Sequence, residues 1–214
     1  MKRGQGALRP LRQVTPQQLS DRLGLGGQVN WIDRQACSVE NLSSLGGRLF
    51  ISGCVGLGKT REGIELIRRA VDQKVLESDR IYEPGPDFWL LAGAALSNAL
   101  HPWLDSSEPA LLFLDGLSHC FCGSGLAQLE GALAAVGEYA GVHVVVTADL
   151  VRLAERHQQW LAELQFRIVD LPALDQAQAG RLVDAAAGVF KLQVDEAART
   201  ELVEAFDGLP EPII

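Results

Sequence analysis

Eight consecutive residues carry the most legible chemistry in this chain: Gly53, Cys54, Val55, Gly56, Leu57, Gly58, Lys59 and Thr60. They fit Gly-x-x-x-x-Gly-Lys-[Ser/Thr], the spacing of a loop that cradles phosphates. Such a loop turns its backbone N–H groups inward, and its glycines supply the backbone freedom this needs. A helix starting at the loop adds partial positive charge where phosphates would sit. Lys59 would reach the β- and γ-phosphates, and the Thr60 hydroxyl would ligate magnesium. The implied ligands are ATP or ADP with Mg2+. Arg61, the next residue, is a further candidate contact.

Ala110 to Asp115 is an apolar run that ends in a carboxylate. An acid at the C-terminal end of a parallel strand points into the ligand crevice. Asp115 would there hold magnesium opposite Thr60, which lies 55 residues earlier. That interval leaves room for one strand and one helix, as expected if the acidic strand lies beside the loop strand. His119, Cys120 and Cys122 crowd three potential zinc ligands into four residues, but structural zinc needs four ligands and no second cluster exists. His119 is instead a candidate for orienting water, since its unperturbed pKa near ~6.5 lets it act near neutral pH.

The elements that must position these groups follow from periodicity. Thr15 to Leu23 reads as a short helix, with Thr15 as N-cap and Pro16 just inside. Arg48 to Ser52 reads as a buried strand into the loop. Thr60 to Gln73 reads as a helix with Ile64, Ile67 and Val71 on one face and a Glu65–Arg69 pair. Strands are expected near Arg80 to Glu83, Ala110 to Asp115, Val142 to Thr147 and Phe166 to Val169. Helices are expected over Phe88 to Leu100 (stopped by His101-Pro102), Gly125 to Tyr139 and Asp149 to Leu164. Alternating strands and helices imply a five-stranded parallel sheet covered on both faces. Two helices without an intervening strand, Asp175 to Val189 and Asp195 to Phe206, form a small helical subdomain. The expected divisions are 1–28 as an N-terminal arm with one helix, 29–171 as the α/β domain, and 172–214 as a helical lid. The absence of a polar tail after Gly208 suggests a chain that continues into further domains.

Composition narrows the class. With 47% apolar and 21% charged residues, the chain is an ordinary globular protein. A net charge of -8 counts against broad nucleic-acid binding. Cys37, Cys54, Cys120 and Cys122 show no framework spacing, which favours reduced thiols and a cytoplasmic setting. No secretory signal or membrane span is evident.

The order of these motifs resembles the STAND class of ATPases, of NACHT or plant-resistance type, within the AAA+-related P-loop group. Trp31, Ile32, Asp33 and Arg34 look like the box that such proteins carry near the adenine, with Asp33 in place of its glycine. Leu112 to Leu117 looks like the acidic-strand motif, and Gly208-Leu209-Pro210 is similar to a motif whose proline touches the adenine. The resemblance implies adenine contacts from Trp31, Ile32, Arg34 and Pro210. It places Thr147 at the sensor strand, near the γ-phosphate. It also implies a switch that is closed with ADP and self-associates with ATP. The departures concern catalysis. Ser118 and His119 stand where acids follow the strand, and Ala148 and Asp149 follow Thr147 instead of an arginine. Glu163 and Gln165 stand where an arginine finger is expected. Slow hydrolysis is therefore expected, with Arg61 or Arg152 as substitute cations. The rival readings are a DNA-associated AAA+ loader or transposition ATPase, a small-molecule kinase, and a binding-only module. The kinase lacks an arginine-rich lid, and a GTPase lacks a guanine motif after the fourth strand.

Overall fold

A computed structural model describes residues 8–24, 29, 32, 36–43, 46–104, 108–117, 124–148, 155–205 and 209. The first described elements are β1 (Leu11–Gln13) and α1 (Pro16–Asp21). The Thr15 hydroxyl accepts from the Gln18 N–H while the Gln18 side chain accepts from the Thr15 N–H, so the helix start is satisfied locally. Next come α2 (Glu40–Ser43), β2 (Arg48–Ser52), α3 (Lys59–Asp72) and β3 (Ile81–Pro84). They are followed by α4 (Gly93–Leu104), β4 (Ala110–Leu114), α5 (Ser124–Gly137) and β5 (Val142–Thr147). The last described elements are α6 (Glu155–Glu163), β6 (Arg167–Asp170), α7 (Gln176–Phe190) and α8 (Glu196–Ala205).

Among the described residues the sheet has six strands, in the order β1-β3-β4-β5-β2-β6. Five of them, β2 to β6, are mutually parallel, and β1 pairs antiparallel with β3 at the edge. This corrects the five-stranded expectation. Three residues carry too little alternation to mark a strand, and the pairing of Arg12 with Glu83 is made across 71 residues of chain. A second correction concerns order. The acidic strand β4 does not lie beside β2, because β5 is inserted between them. A sequence interval constrains how many elements intervene, not which edge each one joins.

Alternation along the strands divides the core. Leu49, Ile51, Ile81, Leu111, Phe113 and Val145 face one layer, which Leu19 of α1, Leu42 of α2 and Ile64, Leu66 and Ile67 of α3 complete. Phe50, Tyr82, Leu112, Leu114, Val144 and Val146 face the other, against α4, α5 and Leu161 of α6. Both faces are buried, as a parallel sheet requires. Each large aliphatic side chain so buried contributes about 1.5–3 kcal/mol relative to exposure. Polar groups are thereby pushed to the ends of the strands.

Helix α4 runs through Pro102 to Leu104 and does not stop at His101. Asn98, four residues before the proline, is exposed, so its carbonyl can turn to water. Leu96, Leu100 and Leu104 are all buried on one stripe, which holds the last turn in place. In α3 the Glu65 carboxylate is bound by Arg61 and Arg68, while Arg69 approaches Glu62 and the Cys37 carbonyl. Helices α7 and α8 pack on each other over a small core of Leu174, Ala179, Leu182 and Ala186, joined by Val29 and Ile32.

Gly63 sets how closely α3 approaches the sheet. A Cβ there would lie 2.9 Å from the Phe113 ring and 3.5 Å from the Thr147 methyl. Gly63→Val is predicted to cost about 1–3 kcal/mol through overpacking. The check is a lower thermal midpoint; an unchanged midpoint would contradict the tight packing of α3 on β4 and β5.

Candidate functional site

The loop between β2 and α3 is built on left-handed glycines. Gly53, Gly56 and Gly58 have φ of 145°, 87° and 78°, and Gly58 is the N-cap of α3. An L side chain is strained at each. At Gly53 a Cβ would also lie 2.8 Å from Leu57 and 3.3 Å from the Leu171 carbonyl. Leu57 is buried and pins the loop to the core, whereas Cys54 and Val55 are exposed. Helix α3 therefore starts at the open side of this loop, its first N–H groups directed into it.

Lys59 donates to the carbonyls of Gly53 at 2.8 Å and Cys54 at 2.7 Å. Its ammonium thus lies over the loop. Thr60 and Thr147 both donate to Oδ1 of Asp115, at 2.8 and 2.5 Å. The Gly116 N–H donates to the Thr147 hydroxyl at 2.9 Å. Thr147 is 1% exposed, while Asp115 is open to solvent. The bonds join the first turn of α3, the end of β4 and the end of β5. The structure thus brings Gly53 to Thr60, Asp115 and Thr147 to one edge of the sheet. A hydroxyl and a carboxylate oxygen in direct contact form the kind of hard-oxygen pair that suits Mg2+.

The other candidates fall elsewhere. Arg61 bonds Glu65 at 3.2 Å and the Val29 carbonyl at 2.9 Å, tying α3 to residue 29. Ile32 packs on the helical pair, and Leu209 on the core cluster that contains Leu57 and Leu171. Trp31, Asp33, Arg34, Ser118, His119, Cys120, Cys122, Asp149, Arg152, Gly208 and Pro210 lie outside the described residues. Among the described residues no group of three or more His, Cys, Asp or Glu is placed to hold a metal ion, and no helix is long and apolar enough to cross a membrane.

Two polar pairs near the strand ends were not singled out from the sequence. Ser52, fully buried at the end of β2, donates to Asp170 at the end of β6. Arg22, just after α1, binds the Glu83 carboxylate with both terminal nitrogens. The only available signal was an acid at the end of a short apolar run, at Glu83 and at Asp170.

The fold is that of AAA+-related P-loop ATPase domains. Domain III of the replication initiation protein DnaA from Thermotoga maritima superposes with a TM-score of 0.59 at 16% identity, covering 82% of this chain and 76% of that one. The S. cerevisiae Hsp104-ADP complex gives 0.61 at 13% identity, over 96% of this chain and 32% of that chain. AMPPCP-bound DnaA from Aquifex aeolicus gives 0.52 at 18% identity, over 78% and 53%. The chain thus spans about a third of the Hsp104 chain and about half of the Aquifex DnaA chain. No protein-family model matches the sequence, and no curated protein is similar to it.

The two described thiols should differ in reactivity. Burial, then the Glu62 carboxylate, push Cys37 up to about 12, so it stays protonated at pH 8. Cys54 is exposed on the loop. Mass-mapped alkylation at pH 8 is predicted to label Cys54 and spare Cys37, since the thiolate is the reactive form. Labelling of Cys37 at the rate of Cys54 would contradict its burial.

Proposed function

We propose that the chain is an ATP-binding, magnesium-dependent P-loop ATPase module that acts as a nucleotide switch of STAND type. The observation that carries this reading is the constellation of Lys59 over a glycine-built loop with Thr60, Asp115 and Thr147 hydrogen-bonded beside it. In this reading the backbone N–H groups of Gly56 to Thr60 and the Lys59 ammonium hold the β- and γ-phosphates. Thr60 and Asp115 would hold magnesium, which would supply positive charge to offset the phosphates. Thr147 fixes the Asp115 carboxylate and meets the γ-phosphate side of the site. Residues 172–214 act as a lid, with Ile32, and with Trp31, Arg34 and Pro210 of the flanking segments, around the adenine. ATP favours self-association through this domain and ADP the closed form. Turnover is slow, and the setting is cytoplasmic.

A second reading has one observation in its favour. The replication initiator DnaA bound to AMPPCP and single-stranded DNA superposes with a TM-score of 0.54 at 18% identity. A DNA-associated AAA+ ATPase therefore stands beside the switch. The net charge of -8 weighs the other way. A gel shift with single- and double-stranded DNA, with and without ATP, separates the two.

The primary test is calorimetric titration with ATP and ADP, with and without Mg2+. Binding of both is expected, and Lys59→Ala is predicted to weaken ATP by at least a hundredfold. Asp115→Ala is predicted to retain nucleotide but lose most of the magnesium dependence. ATP is also expected to protect Cys54 from alkylation. Unchanged ATP affinity in Lys59→Ala would refute the assignment.

A further inference from the structure

The end of β4 holds a single acid, and Ser118 and His119 follow where a second is expected. The fold provides another carboxylate at this edge, from the neighbouring strand. The β3–β4 register pairs Ile81 with Leu111 and Tyr82 with Leu112. Continued one step, it sets Glu83 opposite Phe113, two residues behind Asp115. Strand alternation fixes the side. Ile81, Phe113 and Val145 all face the α3 layer, so Glu83, Asp115 and Thr147 project to that same face. Glu83 thus lies on the same face of the sheet as Asp115 and Thr147, on the strand next to β4 and two residues short of their level.

Glu83 is 6% exposed and carries two guanidinium partners. Arg12, directly opposite on β1, and Arg22, after α1, both pair with it. The second Arg22 contact, to the other carboxylate oxygen, is 2.9 Å. Arg22 also feels Asp115. Burial and the Arg12 charge lower its pKa, while Asp115 pulls the other way.

We propose that Glu83 is the catalytic carboxylate that orients the attacking water, and that Arg12 and Arg22 of the N-terminal segment hold it in check. The proposal rests on the ATPase reading above. In the step, the water oxygen bonds to the γ-phosphorus as the bond from that phosphorus to the β,γ-bridging oxygen breaks. The electron pair of the broken bond leaves on ADP. Glu83 accepts a water proton and passes it to the released phosphate. A carboxylate whose oxygens are engaged by two guanidiniums has few lone pairs left to meet a water, so basal turnover is slow.

The test uses the full chain with magnesium and ATP. It reads phosphate release, affinity for a fluorescent ATP analogue, and thermal midpoint. Glu83→Gln is expected to lower turnover at least tenfold with affinity within twofold of wild type. Arg22→Gln, which keeps the carboxylate and removes one partner, is expected to raise turnover severalfold. Glu83 also ties β1 to β3, so Glu83→Gln can lose the fold. In that event Arg22→Gln and Glu83→Asp decide. The proposal requires faster turnover in the first and slower turnover at unchanged affinity in the second. A merely structural ion pair would lower the thermal midpoint and leave turnover per folded molecule unchanged, which overturns the assignment. So does undiminished turnover in a folded Glu83→Gln, or a wild-type chain and Arg22→Gln that both bind ATP without hydrolysing it. Failure of the wild-type chain to bind ATP overturns instead the nucleotide reading itself.

Discussion

One carboxylate oxygen organises the edge of this sheet. Oδ1 of Asp115 accepts hydroxyl hydrogen bonds from both Thr60 and Thr147, and so joins a helix start to the ends of two strands. Bonds to an ionised acceptor are roughly twice as strong as neutral ones, and each fixes a rotamer. The pair of bonds therefore sets where α3 begins relative to β4 and β5. The close approach of Gly63 to Phe113 makes that placement possible, because any side chain at residue 63 would lift the helix off the sheet.

The burial of the sheet explains why the polar groups collect where they do. Strands β2 to β5 are apolar on both faces, so an uncompensated charge within them would cost several kcal/mol. The ends are the places where a carboxylate or hydroxyl can meet both the core and solvent. Asp115, Thr147, Ser52 and Glu83 all occupy the C-terminal part or end of a strand. The ion pairs at Glu83 are the exception that clarifies the rule. It is the most enclosed acid of this row, and it is matched by two cations from the N-terminal segment.

What could be read from the sequence was local. The phosphate loop, β2, β5 and the N-cap at Thr15 each depend on residues a few positions apart, and each agrees with the structure within a residue or two. The apolar run at Ala110 and the acid closing it were equally legible. What could not be read was non-local. Strand order depends on which edge β5 joins, and no local pattern records that. The edge strand β1 is three residues long and exists because β3 offers it a partner. Pro102 suggested a helix end, and three buried leucines outweighed it. The pairing of Arg22 with Glu83 joins residues 61 apart, so periodicity had no means of finding it.

These non-local contacts change how the N-terminal segment should be regarded. A tail held only by backbone pairing at a sheet edge frays easily. Here Leu11, Val14 and Leu19 are buried in the main core, the Val14 N–H bonds the Ile81 carbonyl, and Arg12 and Arg22 converge on Glu83. The segment is thus bonded to the strand next to Asp115. Thr60 of the loop helix is in turn bonded to Asp115 at the end of β4, the strand that pairs with β3. The first elements of the chain and the loop helix are therefore tied to adjacent strands. The tie at Glu83 is part-buried, whereas fully exposed pairs would be screened within a Debye length of about 8 Å at physiological salt.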